Sequence, residues 1–434
     1  WFVKFFYYFL LLAAFVPVTL YVSMTFVKFW QARFIEWDLQ MYHAATDTPC
    51  KVRTMALNEE LGQISNIFSD KTGTLTCNVM DFRKCSIGGV SYGHGITAIG
   101  IAALSREGMK PEPSDLEANA LADAHAEPHV RFHDPSLVGT LLGGGDDAAQ
   151  RERCRDFFRC LALCHTVVAE HDSQNPGAVH FSASSPDDEA LVCGARYFGF
   201  AFADRQQGRV VLNVGPPLTK ATEAAVAAGA PAPSGAAEEE RWEVLEILDF
   251  TSDRKRMSVV VRDAANGAIV IYTKGADTMM EPRLNPEGSK AMLDATFKHM
   301  REFSLEGLRT LIVATAKLDE AKFEAWRGKF HEATCDLDEI GKRQAHEPNR
   351  IDELMDEVER GFGAGLELLG ATAIEDRLQD GVPETVHDLA DAGIKRILVN
   401  GNQARRPTAP QAPPPPKGPR AGEHTSGLQP HYAP

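Results

Sequence analysis

Residues 68–76 read Phe-Ser-Asp-Lys-Thr-Gly-Thr-Leu-Thr, the run FSDKTGTLT, and follow a short β-like stretch that opens at Asn66. The order places the Asp70 carboxylate at the carboxyl edge of a buried parallel strand, where α/β folds bind ligands. The Thr-Gly-Thr backbone beside it offers N–H groups to a phosphate. An aspartate there is a nucleophile for a phosphoryl group, and Mg²⁺ is expected to neutralise charge on the group in transfer. A phosphatase built on such a loop usually carries a second carboxylate two residues on, to protonate the leaving group. This chain has Thr72 there, so a phosphoenzyme formed at Asp70 is expected to persist.

Upstream, residues 1–35 are dominated by aromatic and aliphatic side chains, in two apolar runs that meet at Pro17. A signal peptide fits poorly: no basic leader precedes the run, and hydrophobicity resumes after Pro17 for almost another bilayer width. The expectation is the end of one membrane span and then a second, reaching about Ile35. Lys28, Trp30 and Arg33 then lie at a cytosolic boundary, with the bulk of the chain in the cytosol. Pro17 removes a helix hydrogen bond, tolerable where protein or a cavity covers the freed carbonyl.

Downstream, Trp242–Phe250, Met257–Arg262 and Ala268–Thr273 read as strands, and 290–306 and 351–360 as helices. Residues 106–150 and 216–240 are rich in Gly, Pro and Ala and read as disordered inserts. Leu366–Ile374, Val382–Ala392 and Lys395–Val399 read as strand, helix, strand, a βαβ unit of parallel sheet. GFGAG at 361–365 lacks a preceding strand and the right third glycine for a dinucleotide loop. From Gln403 the chain is proline-rich and cannot form a packed core.

With 434 residues, roughly three domains are expected at ~150 residues each. The net charge of −15, with no basic stripe, argues against nucleic acid. The eight cysteines form no zinc or disulfide pattern, and Cys160 and Cys164 read as small core residues on a helix face.

Several segments, in order, resemble the P-type ATPases and more narrowly the type IV lipid flippases: FIEWDLQMY, LNEELGQISNIFSDKTGTLTCNVMDF, LALCHTVV, ASSPDDEALV, FTSDRKRMSVVVR, KGAD, EGLRTL and LLGATAIEDRLQDGVPETVHDLADAGIK. The resemblance covers residues 1 to about 402. It implies an α/β haloacid-dehalogenase-like phosphorylation domain, split by an inserted α+β nucleotide-binding domain and preceded by transmembrane helices. The segments are then 1–35 in the membrane, 36–85 for the stalk and first part of the phosphorylation domain, and 86–365 for the nucleotide domain. Residues 366–402 form the second part of the phosphorylation domain and 403–434 a disordered tail.

The same resemblance implies ATP-driven phospholipid translocation, with Asp70 the phosphorylated nucleophile, Lys71 and Thr72 beside it, and Asp70 and Thr72 holding Mg²⁺. It further implies that Phe250 stacks on adenine, that Lys274 lies deep in the ATP pocket and that Arg309 reaches the phosphates. Read without it, Phe250 is an ordinary strand-end core residue and Arg309 a solvated helix residue. The family's acidic pocket residue corresponds to Asp188, with Glu189 next to it in the altered run PDDEA; either serves. Asp376 matches an acidic residue close to the phosphorylation site, or else caps the helix after Gly381. Pro17, Val18 and Leu20 match the lipid path. An apolar Val18, where cation pumps carry a carboxylate, suits a hydrophobic gate better than a metal site. Partners implied are ATP, a phospholipid, the membrane and an accessory subunit, as in related flippases.

Asn400-Gly401-Asn402 stands where the family reads roughly TGD, and the first residue is Trp. These features suggest a fragment or faulty gene model of a flippase, inactive alone. Two other readings stay open: a non-enzymatic ATP-binding remnant, and a haloacid-dehalogenase-type phosphotransferase.

Overall fold

The computed structural model describes residues 1–399 apart from 14, 16, 107, 145–146, 172–178, 207, 234–236, 286–287 and 289. Asn400-Gly401-Asn402 and the proline-rich tail lie outside the described residues. Two compact units divide the chain: residues 1–71 with 394–434, and residues 72–393.

In the first unit, helices Phe2–Ala13 and Val18–Glu36 meet at Pro17, whose carbonyl accepts from the Leu20 and Tyr21 N–H groups. Nearly every apolar side chain of the two helices faces outward, and Ala32 is the one buried residue recorded in either. Together, Phe2–Glu36 is the one candidate membrane span among the described residues, by length and composition. The first helix, 12 residues long, reaches about 18 Å at 1.5 Å per residue, short of the ~30 Å apolar core of a bilayer. The second, 19 residues long, reaches ~28 Å. The expected pair of spans is thus one candidate span with a break.

Strand β1, Asn66–Asp70, pairs in parallel with Lys395–Val399, the last strand of the chain, in the register Asn66↔Lys395 to Asp70↔Val399. The two strands of this pair lie more than 320 residues apart in sequence.

The second unit is built on a nine-stranded sheet. Its strands are β2 (Thr76–Ile87), β3 (Val90–Tyr92), β6 (Phe200–Gln206), β7 (Arg209–Val214), β8 (Glu238–Leu248), β9 (Arg256–Asp263), β10 (Ile269–Gly275), β11 (Arg309–Leu318) and β12 (Glu367–Leu378). Their order is β3-β2-β12-β11-β10-β9-β8-β7-β6, every pair antiparallel. A separate hairpin joins β4 (Val168–His171) to β5 (Val179–Ser182), and Lys395–Val399 is β13.

Successive strand residues point to opposite faces, and both faces are apolar here. In β9, Met257, Val259 and Val261 enter one core while Val260 enters the other; in β11, Val313 faces the first and Ile312 and Ala314 the second. The first core is closed by helices Ala148–Leu163 and Pro186–Tyr197. There Phe158 stacks on Phe198 with ring centroids 4.4 Å apart. The second is closed by Lys290–Leu305, Glu320–Cys335 and Arg350–Glu359, through Phe323, Trp326 and Val358. Each such buried side chain is worth about 1.5–3 kcal/mol. Cys160 and Cys164 are fully buried in the first core, as their helix face suggested.

His165 follows directly, also fully buried. Its Nε2 donates to the Ala162 carbonyl (2.9 Å) and its Nδ1 accepts from the Val167 N–H (3.1 Å), so both ring nitrogens are used by a neutral imidazole. Burial, then the charges of Arg205 and Lys274, hold its pKa well below the usual histidine range.

Two expectations are corrected. The inserts at 106–150 and 216–240 are structured over much of their length. Residues Pro113–Ala124 and Pro135–Leu142 are helices; the second is capped by Asp134, which accepts from the Ser136 N–H, and ends at Gly143 with φ 96°. The prolines at first helical positions and the glycine past a helix end are start and stop signals rather than linker composition. In the second insert, Thr219–Ala227 is a helix whose Ala221 and Ala225 enter the core, and β8 has begun by Glu238.

The expected βαβ unit is also absent, because β12 lies between β2 and β11 and not beside β13. A Cβ on Gly370 would fall 1.9 Å from the Ser86 carbonyl oxygen, so β12 fits against β2 only with glycine there. At the far end of this pair, Thr76 sits opposite Leu378, and the Gln379 N–H donates to the Leu75 carbonyl.

Candidate active site

The site of the second unit starts from helix Pro186–Tyr197, whose first turn carries Asp187, Asp188 and Glu189 at the positive end of its dipole. Consecutive helical residues point about 100° apart, so the three carboxylates diverge. Asp188 Oδ1 accepts from Lys274 Nζ at 2.7 Å, at the end of β10. Asp187 Oδ1 accepts from Arg309 Nη1 at 3.2 Å. Glu189 turns to His129, 3.3 Å from its Nε2. Of the two acidic residues that sequence left level, Asp188 is the one beside Lys274.

Lys274 is buried, 4% exposed. Burial alone drives a lysine pKa down, but the charge of and hydrogen bond to the Asp188 carboxylate outweigh this and the pKa is raised. The ammonium therefore stays charged. Burial pushes the Cys164 thiol up to about 11, so the pocket floor carries no thiolate. The adjoining glycine of KGAD has a spatial reason: a Cβ on Gly275 would lie 2.5 Å from the Cβ of Arg256 on β9.

Arg309 opens β11 and is not on a helix. Its second partner is Asp376 Oδ2 on β12, 3.1 Å from Nη2. The Asp376 side chain is 2% exposed, and its Oδ1 is buried without a hydrogen-bond partner among the described residues. Asp376 does not cap the following helix, whose N-cap is Gly381. Burial pushes the Asp187 carboxyl up from its ordinary value, and Arg309 only partly offsets this.

Phe250 lies beyond the end of β8 and is 60% exposed, so it is no core residue and its ring face is open to a flat ligand. The rest of FTSDRKRMS is structural. Arg254 and Arg256 both donate to the fully buried Glu359, as does the Ser258 hydroxyl at 2.6 Å. This bolts β9 to helix Arg350–Glu359 and fixes the turn that carries Phe250. The sequence gives no sign of Glu359 as the shared partner, and the run PDDEA alone does not separate Asp187 from its neighbours.

Of the remaining sequence-derived residues, Asp70 and Lys71 belong to the first unit, Thr72 to the second, and Pro17, Val18 and Leu20 to the apolar segment. Asp70 ends β1 and is exposed, with Oδ1 accepting from the Lys71 N–H at 2.8 Å. Its strand is not buried in this unit, since Phe68 is 68% exposed. Thr72 begins the second unit in a turn where Gly73 has φ 77° and donates to Thr76 Oγ1. Pro17, Val18 and Leu20 sit at the break between the two apolar helices, with Val18 and Leu20 exposed. A separate cavity of about 410 Å³ is lined by Thr334, Ile340, Arg343, Gln344 and Ile351, none of them in this network.

The family model described as P-type ATPase, cytoplasmic domain N matches residues 153–381. Phospholipid-transporting ATPase IC of Xenopus tropicalis is 40% identical over 402 residues, which are 93% of this chain and 28% of the relative. Human phospholipid-transporting ATPase ID is 39% identical over 403 residues, 93% of this chain and 29% of the relative. Probable phospholipid-transporting ATPase 12 of Arabidopsis thaliana is 38% identical over 393 residues, 90% of this chain and 30% of the relative. The chain thus spans under a third of the length of these relatives.

Proposed function

We infer the function from one premise: this chain belongs to the P-type ATPase family. On that premise its residues supply the nucleotide-holding and phosphoryl-accepting parts of an ATP-driven phospholipid flippase of the type IV branch. The observation that carries the reading is the convergence of Lys274, paired with Asp188, and Arg309, paired with Asp187 and Asp376, on one end of helix Pro186–Tyr197. Two cations held in that way are a fixed receptor for a polyphosphate. Phe250, open to solvent, takes the adenine face.

The Asp70 carboxylate attacks the γ-phosphorus, the bond to the bridging oxygen breaks, and ADP leaves with that electron pair. An acyl phosphate remains on Asp70. Asp70 and Thr72 are exposed hard-oxygen donors two residues apart, a donor set that suits Mg²⁺. When bound, Mg²⁺ neutralises charge on the phosphoryl group. Lys71 lies within the same run, and the haloacid-dehalogenase-like character of the β1–β13 pair is part of this reading. The break at Pro17, with Val18 and Leu20, lies on the lipid path; the single broken span Phe2–Glu36, a cytosolic bulk and an accessory subunit complete the proposal.

Isothermal titration of the full chain in detergent micelles with millimolar ATP tests the pocket. Binding is expected, and Lys274→Ala should abolish it, because it removes one of the two cations and leaves the Asp188 carboxylate to repel the polyphosphate. Absence of binding, or an unaltered Lys274→Ala, overturns the reading. Acid-stable ³²P transfer from [γ-³²P]ATP, lost in Asp70→Asn, tests the nucleophile; binding without labelling would leave an ATP-binding module.

A further inference from the structure

Arg309 is held by two carboxylates that differ in what they lose on letting go. The Asp376 side chain is 2% exposed, with Oδ1 already lacking a partner among the described residues. Separated from Arg309 it would be a buried charge with nothing to compensate it, which is strongly unfavourable. The Asp187 side chain is 28% exposed and sits in the first turn of a helix, so water and the helix dipole accept it once released. Asp376 is therefore the fixed anchor of the guanidinium and Asp187 the exchangeable one.

The balance of charge points the same way. Three carboxylates, Asp187, Asp188 and Asp376, face two cations, Lys274 and Arg309. An arriving phosphate meets a guanidinium whose outer donor is already occupied, in a cluster with one negative charge in excess.

We propose that Asp187 is a positioning residue that fills the phosphate's place on Arg309 and is displaced when phosphate binds, while Asp376 keeps the guanidinium aimed. This rests on the reading of the pocket as a nucleotide site and adds a residue which that reading did not use. Its cost falls only on ligands that carry phosphate. Adenosine, which needs Phe250 and the base pocket alone, does not compete with Asp187.

The test is titration of the full chain in detergent micelles with ATP and with adenosine, for wild type and Asp187→Asn. The variant should bind ATP ~3- to 10-fold more tightly, the range that loss of a partly exposed competing ion pair and of one repelling charge allows. Adenosine affinity should change by less than about twofold. Asp376→Asn should do the reverse, weakening ATP binding while adenosine binding persists. If Asp187→Asn fails to fold by circular dichroism, Asp187→Ser, which suits a helix N-terminus, carries the same expectation. ATP affinity that is unchanged or weaker in the variant, with wild type still binding, overturns this inference alone. Tightening of ATP and adenosine by the same factor also overturns it. If wild type binds neither ligand, the nucleotide reading fails and this inference with it.

Discussion

His165 is a side chain whose burial translates into a pH response. The folded chain holds it neutral, with its pKa well below the ordinary value, while the unfolded chain titrates near 6.5. Between those two values the unfolded state binds more protons, so stability rises with pH up to about 6.5 and falls as pH drops below it. One such group contributes a slope of at most about 1.4 kcal/mol per pH unit. Urea unfolding midpoints from about pH 7.5 to about pH 5.5 should therefore fall steeply in wild type and less steeply in His165→Gln. Equal slopes would mean that other groups set the acid limb. At this scale the sequence was informative about type and silent about direction. KGAD and EGLRTL led to Lys274 and Arg309, but only the phase of helix Pro186–Tyr197 separates the roles of Asp187, Asp188 and Glu189, and one letter of shift rotates each carboxylate to a different partner.

Among the elements, β12 depends on its neighbour most closely. A Cβ on Gly370 would overlap the backbone of β2, so Gly370→Ala must push the two strands apart. A loss of roughly 3 kcal/mol or more is expected, as for overpacking against backbone that cannot retreat. A lowered thermal midpoint, with amide exchange quickened in β2 and β12, would report it; an unchanged midpoint would show that the strands can part at little cost. Strands rich in β-branched residues, such as β9 and β10, were legible in advance, as was the helix at Lys290–Leu305. The partner of β12 was not, because an apolar run buried on both faces looks the same in a parallel and a covered antiparallel sheet. The inserts resemble linkers in composition because Pro135 and Gly143 bound a helix with the residues that also make linkers.

At the scale of the molecule, β1 pairs with β13 from the far end of the described chain, and residues 72–393 form one compact unit. That unit contains both of its helix-covered cores, so residues 72–393 expressed alone should unfold cooperatively in urea and retain amide protection in β9 to β12. A molten, unprotected product would show that the fold needs the rest of the chain.

The pairing of Thr76 with Leu378 has a mechanical consequence. The chain enters this unit just before β2, and from β12 it runs through helix Val382–Asp391 to leave at Gly393; the two neighbouring antiparallel strands have their open ends together. A pull applied between the entry and exit points loads the ladder one rung at a time, like a zipper, instead of loading all its hydrogen bonds in shear. Tension at those ends would meet the Thr76–Leu378 end of the ladder first, two residues from Asp376, the β12 carboxylate that holds Arg309.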